Sequence, residues 1–241
     1  MAEAGTGDLP LAMPRQPDEV TCGPTCLYAL LRYYGERVTL PEVIAATPQL
    51  VGGGTLAVLL GVQALCRGYR CRLYTYNLQL FDPTWFIRGD DLAANLREQM
   101  RWKPREHQLV EATHGYLDFL TAGGEVLDNE LTSGLITRHL RAGRPVLTGL
   151  SSTYLYRASR IFGPDGIDDD IRGRPEGHFV VIDGYDTRHG TFTISDPYRG
   201  RDGRGGEDRY AVPRARLLAA ILLGITTYDA NLLVIEPGRQ P

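Results

Sequence analysis

The sequence predicts an α+β protein, with helices concentrated early in the chain and most strands late. Two observations carry this. Apolar residues recur at helical spacing between 23 and 67 and again between 91 and 141. Residues 145–150, 178–185, 191–195 and 231–235 instead form short apolar or alternating runs of strand length. Helices first and strands later favour segregated helices packed on an antiparallel sheet over a repeating parallel βα unit.

The elements follow in order. Residues 1–15 are small, polar and Gly-containing, and are expected to form a flexible N-terminal segment. Residues 23–34 make a helix whose buried stripe is Leu27, Leu30, Leu31 and Tyr34, stopped by Gly35. Thr39-Leu-Pro-Glu42 has the pattern of a capping box. Gly52-Gly53-Gly54-Thr55 reads as a turn ending in a helix cap. No Gly-Lys-Ser/Thr follows the glycines and no strand precedes them, so they are not read as a phosphate cradle. A helix over 56–67 and a strand over 71–76 come next. Helices are predicted at 91–102, 107–120 and 131–141, followed by a strand at 145–150.

Residues 151–171 read as a loop holding Tyr154, Tyr156 and the run Asp168-Asp169-Asp170. Those acids are suited either to a basic substrate segment or to a solvated loop among Arg172 and Arg174, and the second is favoured. Tyr154 and Tyr156 are suited to lining a cleft or to packing. Strands 178–185 and 191–195 form a hairpin about 187–190. A helix at 213–223 and a strand at 231–235 close the chain.

Composition narrows the function. A net charge of −3 gives no reason to expect a nucleic-acid partner. No apolar run approaches the length of a membrane span, and no secretory signal opens the chain, so a cytoplasmic protein is expected. Cys22, Cys26, Cys66 and Cys71 are then expected to be free thiols. Their spacing suits zinc poorly, so neither a metal nor a cofactor is expected. Cys26, Cys66 and Cys71 lie in apolar patterns and are expected to be shielded. His107, His114 and His139 fall on helices and His189 in a turn, which leaves His178, at the head of an apolar strand, as the candidate base.

Cys22 stands where a Gly/Pro turn enters a helix, and unpaired N–H groups there favour thiolate, the reactive form. Gln16, six residues earlier, is placed to supply an oxyanion donor. His178 heads one strand and Asp196 ends another. A thiol hydrolase needs these residue types, each at an element end.

The motifs Gln16…Cys22-Gly23-Pro24…Tyr33-Tyr34-Gly35 and His178-Phe-Val-Val-Ile…Asp196-Pro197 resemble the bacteriocin-processing, double-glycine-leader branch of the papain-like cysteine peptidases. The resemblance implies a papain-like fold over 16–241 as one domain, with N-terminal helices on a C-terminal antiparallel sheet; residues at about 77–130 run longer than the family's compact core needs and are expected to form a helical insertion. It also implies that Cys22 is the nucleophile, His178 the base, Asp196 its orienting partner and Gln16 the oxyanion residue. The expected activity is cleavage of a peptide or amide bond through an acyl-enzyme. An acyltransferase with the same triad, or a non-catalytic peptide-binding module, is the alternative. The substrate and the oligomeric state stay open.

Overall fold

The computed structural model describes residues 5–51, 53–198 and 208–238. Gly52 and residues 1–4 lie outside the described residues. The order of elements is β1 (Thr6–Asp8), α1 (Cys22–Tyr33), α2 (Leu40–Ala46), α3 (Ala57–Cys66), β2 (Tyr69–Thr75), α4 (Pro83–Arg88), α5 (Leu92–Trp102) and α6 (His107–Thr121). Then come β3 (Glu125–Leu127), α7 (Ser133–Arg141), β4 (Val146–Ser151), α8 (Ser152–Tyr156), β5 (Ile161–Phe162), β6 (Ile167–Asp168), β7 (Gly177–Asp186), β8 (Thr191–Ser195), β9 (Arg209–Pro213), α9 (Arg214–Leu223) and β10 (Asn231–Pro237).

One sheet runs β3-β2-β10-β4-β7-β8-β9, with β1 paired to β7. Only β2 and β3 are parallel among these pairings. Both faces are covered. Leu73, Leu147, Val181, Leu233 and Ile235 point into a core shared with α1, α3 and α6. Their neighbours Tyr74, Val146, Val180, Ile182, Leu232 and Val234 enter a second core under α7 and α9. A strand buried on both faces needs no polar side, which is why 178–182 and 231–235 read as continuous apolar runs.

Helix α1 is the central helix of the first core. Leu27, Leu30 and Leu31 are fully buried, each contributing about 1.5–3 kcal/mol relative to exposure. Tyr34, expected in the same stripe, is half-buried and donates its hydroxyl to the Ile235 carbonyl at 2.7 Å. Gly35 ends the helix at φ +85°, a conformation that costs glycine little. Before α2, Glu42 reaches back to accept from the Thr39 amide and hydroxyl, both at 2.7 Å.

The structure departs from the sequence reading in several places. The segment expected to be flexible instead forms β1, and Leu11 and Met13 are buried. Charge pairing holds it: Arg209 binds Asp8 at 2.7 Å and the buried Asp183 at 2.9 Å. The segment's few apolar residues gave no period to read. Thr55 does not cap α3, because its hydroxyl donates to the Pro48 carbonyl. The Ala57 amide donates instead to Asp229, from the far end of the chain. Cys66 is exposed at the end of α3 rather than shielded. Residues 151–171, read as loop, contain α8 and the small hairpin of β5 and β6. Among the described residues no helix is long and apolar enough to cross a membrane.

Candidate active site

Cys22 is the first helical residue of α1 and is half-buried. The preceding Thr21 makes no side-chain cap. Its hydroxyl donates to the Asp18 carbonyl, and no acid occupies the first turn. The leading N–H groups of the helix therefore keep their positive field for a ligand or a thiolate. Pro24 sits where a missing N–H costs nothing. Gly23 permits close approach, since a Cβ there would lie 2.6 Å from Thr55 Cγ2.

His178, the second residue of β7, is buried, and its Nε2 meets Asp196 Oδ1 at 2.8 Å. Cys22 acts on the same imidazole and raises its pKa. With Nε2 committed to Asp196, Nδ1 is left for the thiol. Burial opposes the charged ring, but Asp196 and Cys22 outweigh it and hold His178 well above its ordinary pKa.

Asp196 follows β8 directly. Its Oδ2 accepts the hydroxyls of Tyr156 and Tyr210, both at 2.7 Å, and its Oδ1 also accepts the Tyr198 amide at 2.9 Å. Burial would raise its pKa, yet the His178 charge and these bonds hold it below the usual carboxylate range. Tyr156 and Tyr198 also frame the imidazole, each with its ring centroid 6.1 Å away.

Gln16 is buried beside this group. Its backbone amide donates to the Pro197 carbonyl at 3.0 Å, tying the segment before α1 to the residue after Asp196. Its Nε2 donates to the Asp18 carbonyl at 2.7 Å, which orients the amide, and Oε1 is buried without a partner. The second N–H of Nε2 is left over. Cys26 is one turn beyond Cys22 and wholly buried, its thiol donating to the Phe179 carbonyl at 3.3 Å. Burial, reinforced by Cys22 and Asp196, pushes that thiol's pKa up.

Gln16, Cys22, His178, Tyr156 and Tyr198 line one cleft of about 1130 Å³. The β5–β6 hairpin and the 53–55 turn also contribute to its lining. The structure thus brings all four sequence-predicted residues together. Of the two loop tyrosines, Tyr156 is in the site, while Tyr154 stacks under Arg157. Tyr198 and Tyr210 were not singled out from sequence. Tyr198 stands two residues after Asp196, but Tyr210 lies on β9, a strand the pattern did not reveal.

The acidic run divides. Asp168 lines the cleft, whereas Asp169 accepts from the Ile171 and Arg172 amides and pairs with the Arg172 side chain. His139 is a core histidine bonded to the Tyr74 hydroxyl at 3.0 Å, and burial lowers it to about 4. His189 pairs with Asp186 in the hairpin turn. Among the described residues, no three His, Cys, Asp or Glu side chains gather as a metal site.

Comparison with known proteins adds to this geometry. A candidate C39-like peptidase from Bacillus anthracis superposes with a TM-score of 0.53 at 12% identity, covering 98% of this chain and 100% of that one. At that identity the likeness shows the fold, a papain-like α+β architecture. Xylellain, a cysteine protease from Xylella fastidiosa, gives a TM-score of 0.47 at 14% identity, over 99% of this chain and 88% of its own. A double glycine motif protease from an AMS/PCAT transporter, solved with its leader peptide, gives 0.45 at 14%, over 96% and 94%. No curated protein matches. The sequence profile of the Peptidase_C39 like family matches residues 89–216, a stretch that holds His178 and Asp196 and begins beyond Gln16 and Cys22. That match spans more than half of the 241 residues, and the chain belongs to the Peptidase_C39 like family, as a cysteine-dependent peptidase.

Proposed function

We propose that this peptidase works through Cys22, His178 and Asp196, with Gln16 as oxyanion donor. One observation carries the reading most: His178 is bonded to Asp196 and lines the same cleft as a cysteine at an uncapped helix N-terminus that raises its pKa. The Cys22 proton passes to His178, and the sulfur attacks the substrate carbonyl carbon. The spare Gln16 N–H and the Cys22 amide hold the resulting oxyanion. The C–N bond then breaks as His178 returns its proton to the leaving amine, leaving a thioester. Water, deprotonated by His178, attacks that thioester. The C–S bond breaks and the acid is released. Asp196 keeps the imidazole in one tautomer and stabilises its charged form.

An amine in place of water would make the same site an acyltransferase. We take residues 16–241 to act as one papain-like domain with 77–130 as its helical insertion, and free thiols fit a cytoplasmic setting. The test is intact-mass detection of a thioester adduct on a slowly turned-over peptide ester. The adduct should map to Cys22 and vanish in Cys22→Ala. An adduct that persists in Cys22→Ala would move the nucleophile elsewhere.

A further inference from the structure

Apart from the His178 imidazole, the ionisable side chains described in the cleft lining beyond Cys22 and the tyrosines are acids. Glu19, Asp165, Asp168, Glu176 and Asp229 contribute to it, and its described lining residues include no Lys or Arg. Neighbouring arginines on the overhanging loop are turned onto the loop itself: Arg160 onto the Asp170 and Ile171 carbonyls, Arg172 onto Asp169. Four of the five acids are exposed, at the rim.

Asp229 is different, being only 6% exposed. Its Oδ1 accepts from Asn231 Nδ2 at 3.0 Å and from the Ala57 amide at 3.4 Å. Its Oδ2 has no hydrogen-bond partner among the described residues. The backbone is strained around it, since Tyr228 and Ala230 on either side stand at φ 63° and 64°, a region non-glycine residues avoid. Gly149 leaves it room, as a Cβ there would lie 2.6 Å from Asp229 Cγ. Burial raises the carboxyl to about 7, so the free enzyme holds this charge at a cost that a cation would relieve. Cys22 and Asp229 line the same cleft, joined through Thr55, which packs on Gly23 beside Cys22 and stands two residues before the Ala57 amide that Asp229 binds.

We propose that the cleft selects a basic peptide, in which a lysine or arginine within two residues of the scissile bond pairs with Asp229 Oδ2. The rim carboxylates draw the basic segment in, and the buried one fixes its register. This rests on the cleft being the peptide site of the Cys22–His178 chemistry, and it adds the substrate's charge class.

The test uses internally quenched peptides with Lys, Leu, Gly or Glu scanned over the two positions on each side of the bond. Cleavage is followed with the native enzyme, and binding of the same peptides with Cys22→Ala. Lys is expected to exceed Leu and Gly by roughly tenfold or more at one position, with Glu weakest. Asp229→Asn, which keeps the Oδ1 acceptor, should erase the Lys-over-Leu ratio. Cys22-dependent cleavage with no Lys preference would overturn this proposal and leave the chemistry standing. Lys-selective binding without Cys22-dependent cleavage would do the reverse. Neither cleavage nor selective binding would overturn both. The native enzyme's own preference decides the matter even where a variant folds poorly.

Discussion

Asp196 and Asp229 are both almost wholly buried beside the same cleft, and the fold treats them in opposite ways. Asp196 receives a histidine, two tyrosine hydroxyls and a backbone amide, so its charge is held below the ordinary carboxylate range. Asp229 receives an asparagine and a long bond from one amide, both on one oxygen, and burial lifts it to about 7. Saturation by donors favours the anion of Asp196, suited to holding an imidazolium. An open oxygen makes Asp229 a carboxylate awaiting a partner. Residue type is the same at both positions, so the role comes from the count and placement of donors.

The largest effect that should separate the two lies in turnover. Asp196→Asn keeps the shape but removes the charge facing His178, and kcat should fall by about 10³–10⁴-fold. A fall smaller than tenfold in a folded variant would make Asp196 a structural residue like any other buried aspartate.

The next effect lies in stability and carries opposite signs. Asp196 has a lowered folded pKa, so its contribution is present above the unfolded value near pH 4 and is lost as pH falls through the folded one. Asp229 has a raised folded pKa, so the unfolded chain binds fewer protons between about pH 4 and 7 and stability declines across that window. Asp229→Asn should remove the decline, gaining on the native protein by up to about 4 kcal/mol between pH 4 and 7. Urea unfolding at both pH values reads this, and a constant difference would contradict it.

The smallest expected effect sharpens the idea of saturation. Tyr210→Phe removes one donor from Asp196 and should cost about 1.5–3 kcal/mol of stability. It should also shift the acid limb of the activity profile upward, because the carboxylate is then less well held. Loss of stability with an unmoved acid limb would confine Tyr210 to packing.

The sequence made the Asp196 side of this comparison readable and hid the Asp229 side. Cys22, His178 and Asp196 each end an element with a clear period or turn, and Gln16 precedes Cys22 in a recognisable motif. The helix over 22–33 and the strands over 146–151, 177–186 and 231–237 were legible for the same reason. Asp229 stands between a tyrosine and an alanine whose left-handed backbones leave no compositional mark. Strand β1 is short and is held by an ion pair and by pairing with a distant strand rather than by an apolar face, while β9 is short and buries only Val212 fully. Long-range placement of that kind has no local period to betray it. Cys66 shows the converse: it sits in an apolar helix pattern, and yet the end of α3 emerges from the core there.

That exposure makes the direct test of the Cys22–His178 pair stricter. Cys66 is the most accessible thiol and Cys22 only half-buried, so access alone favours Cys66. Iodoacetamide labelling at pH 6, read by peptide mass spectrometry, reports thiolate fraction as well as access. A thiolate held by the His178 imidazolium should make Cys22 the first cysteine labelled, with Cys26 and Cys71 silent. His178→Ala should slow Cys22 at pH 6 and leave Cys66 unchanged. Prior labelling of Cys66, or a Cys22 rate indifferent to His178→Ala, would contradict the activated pair on which the account rests.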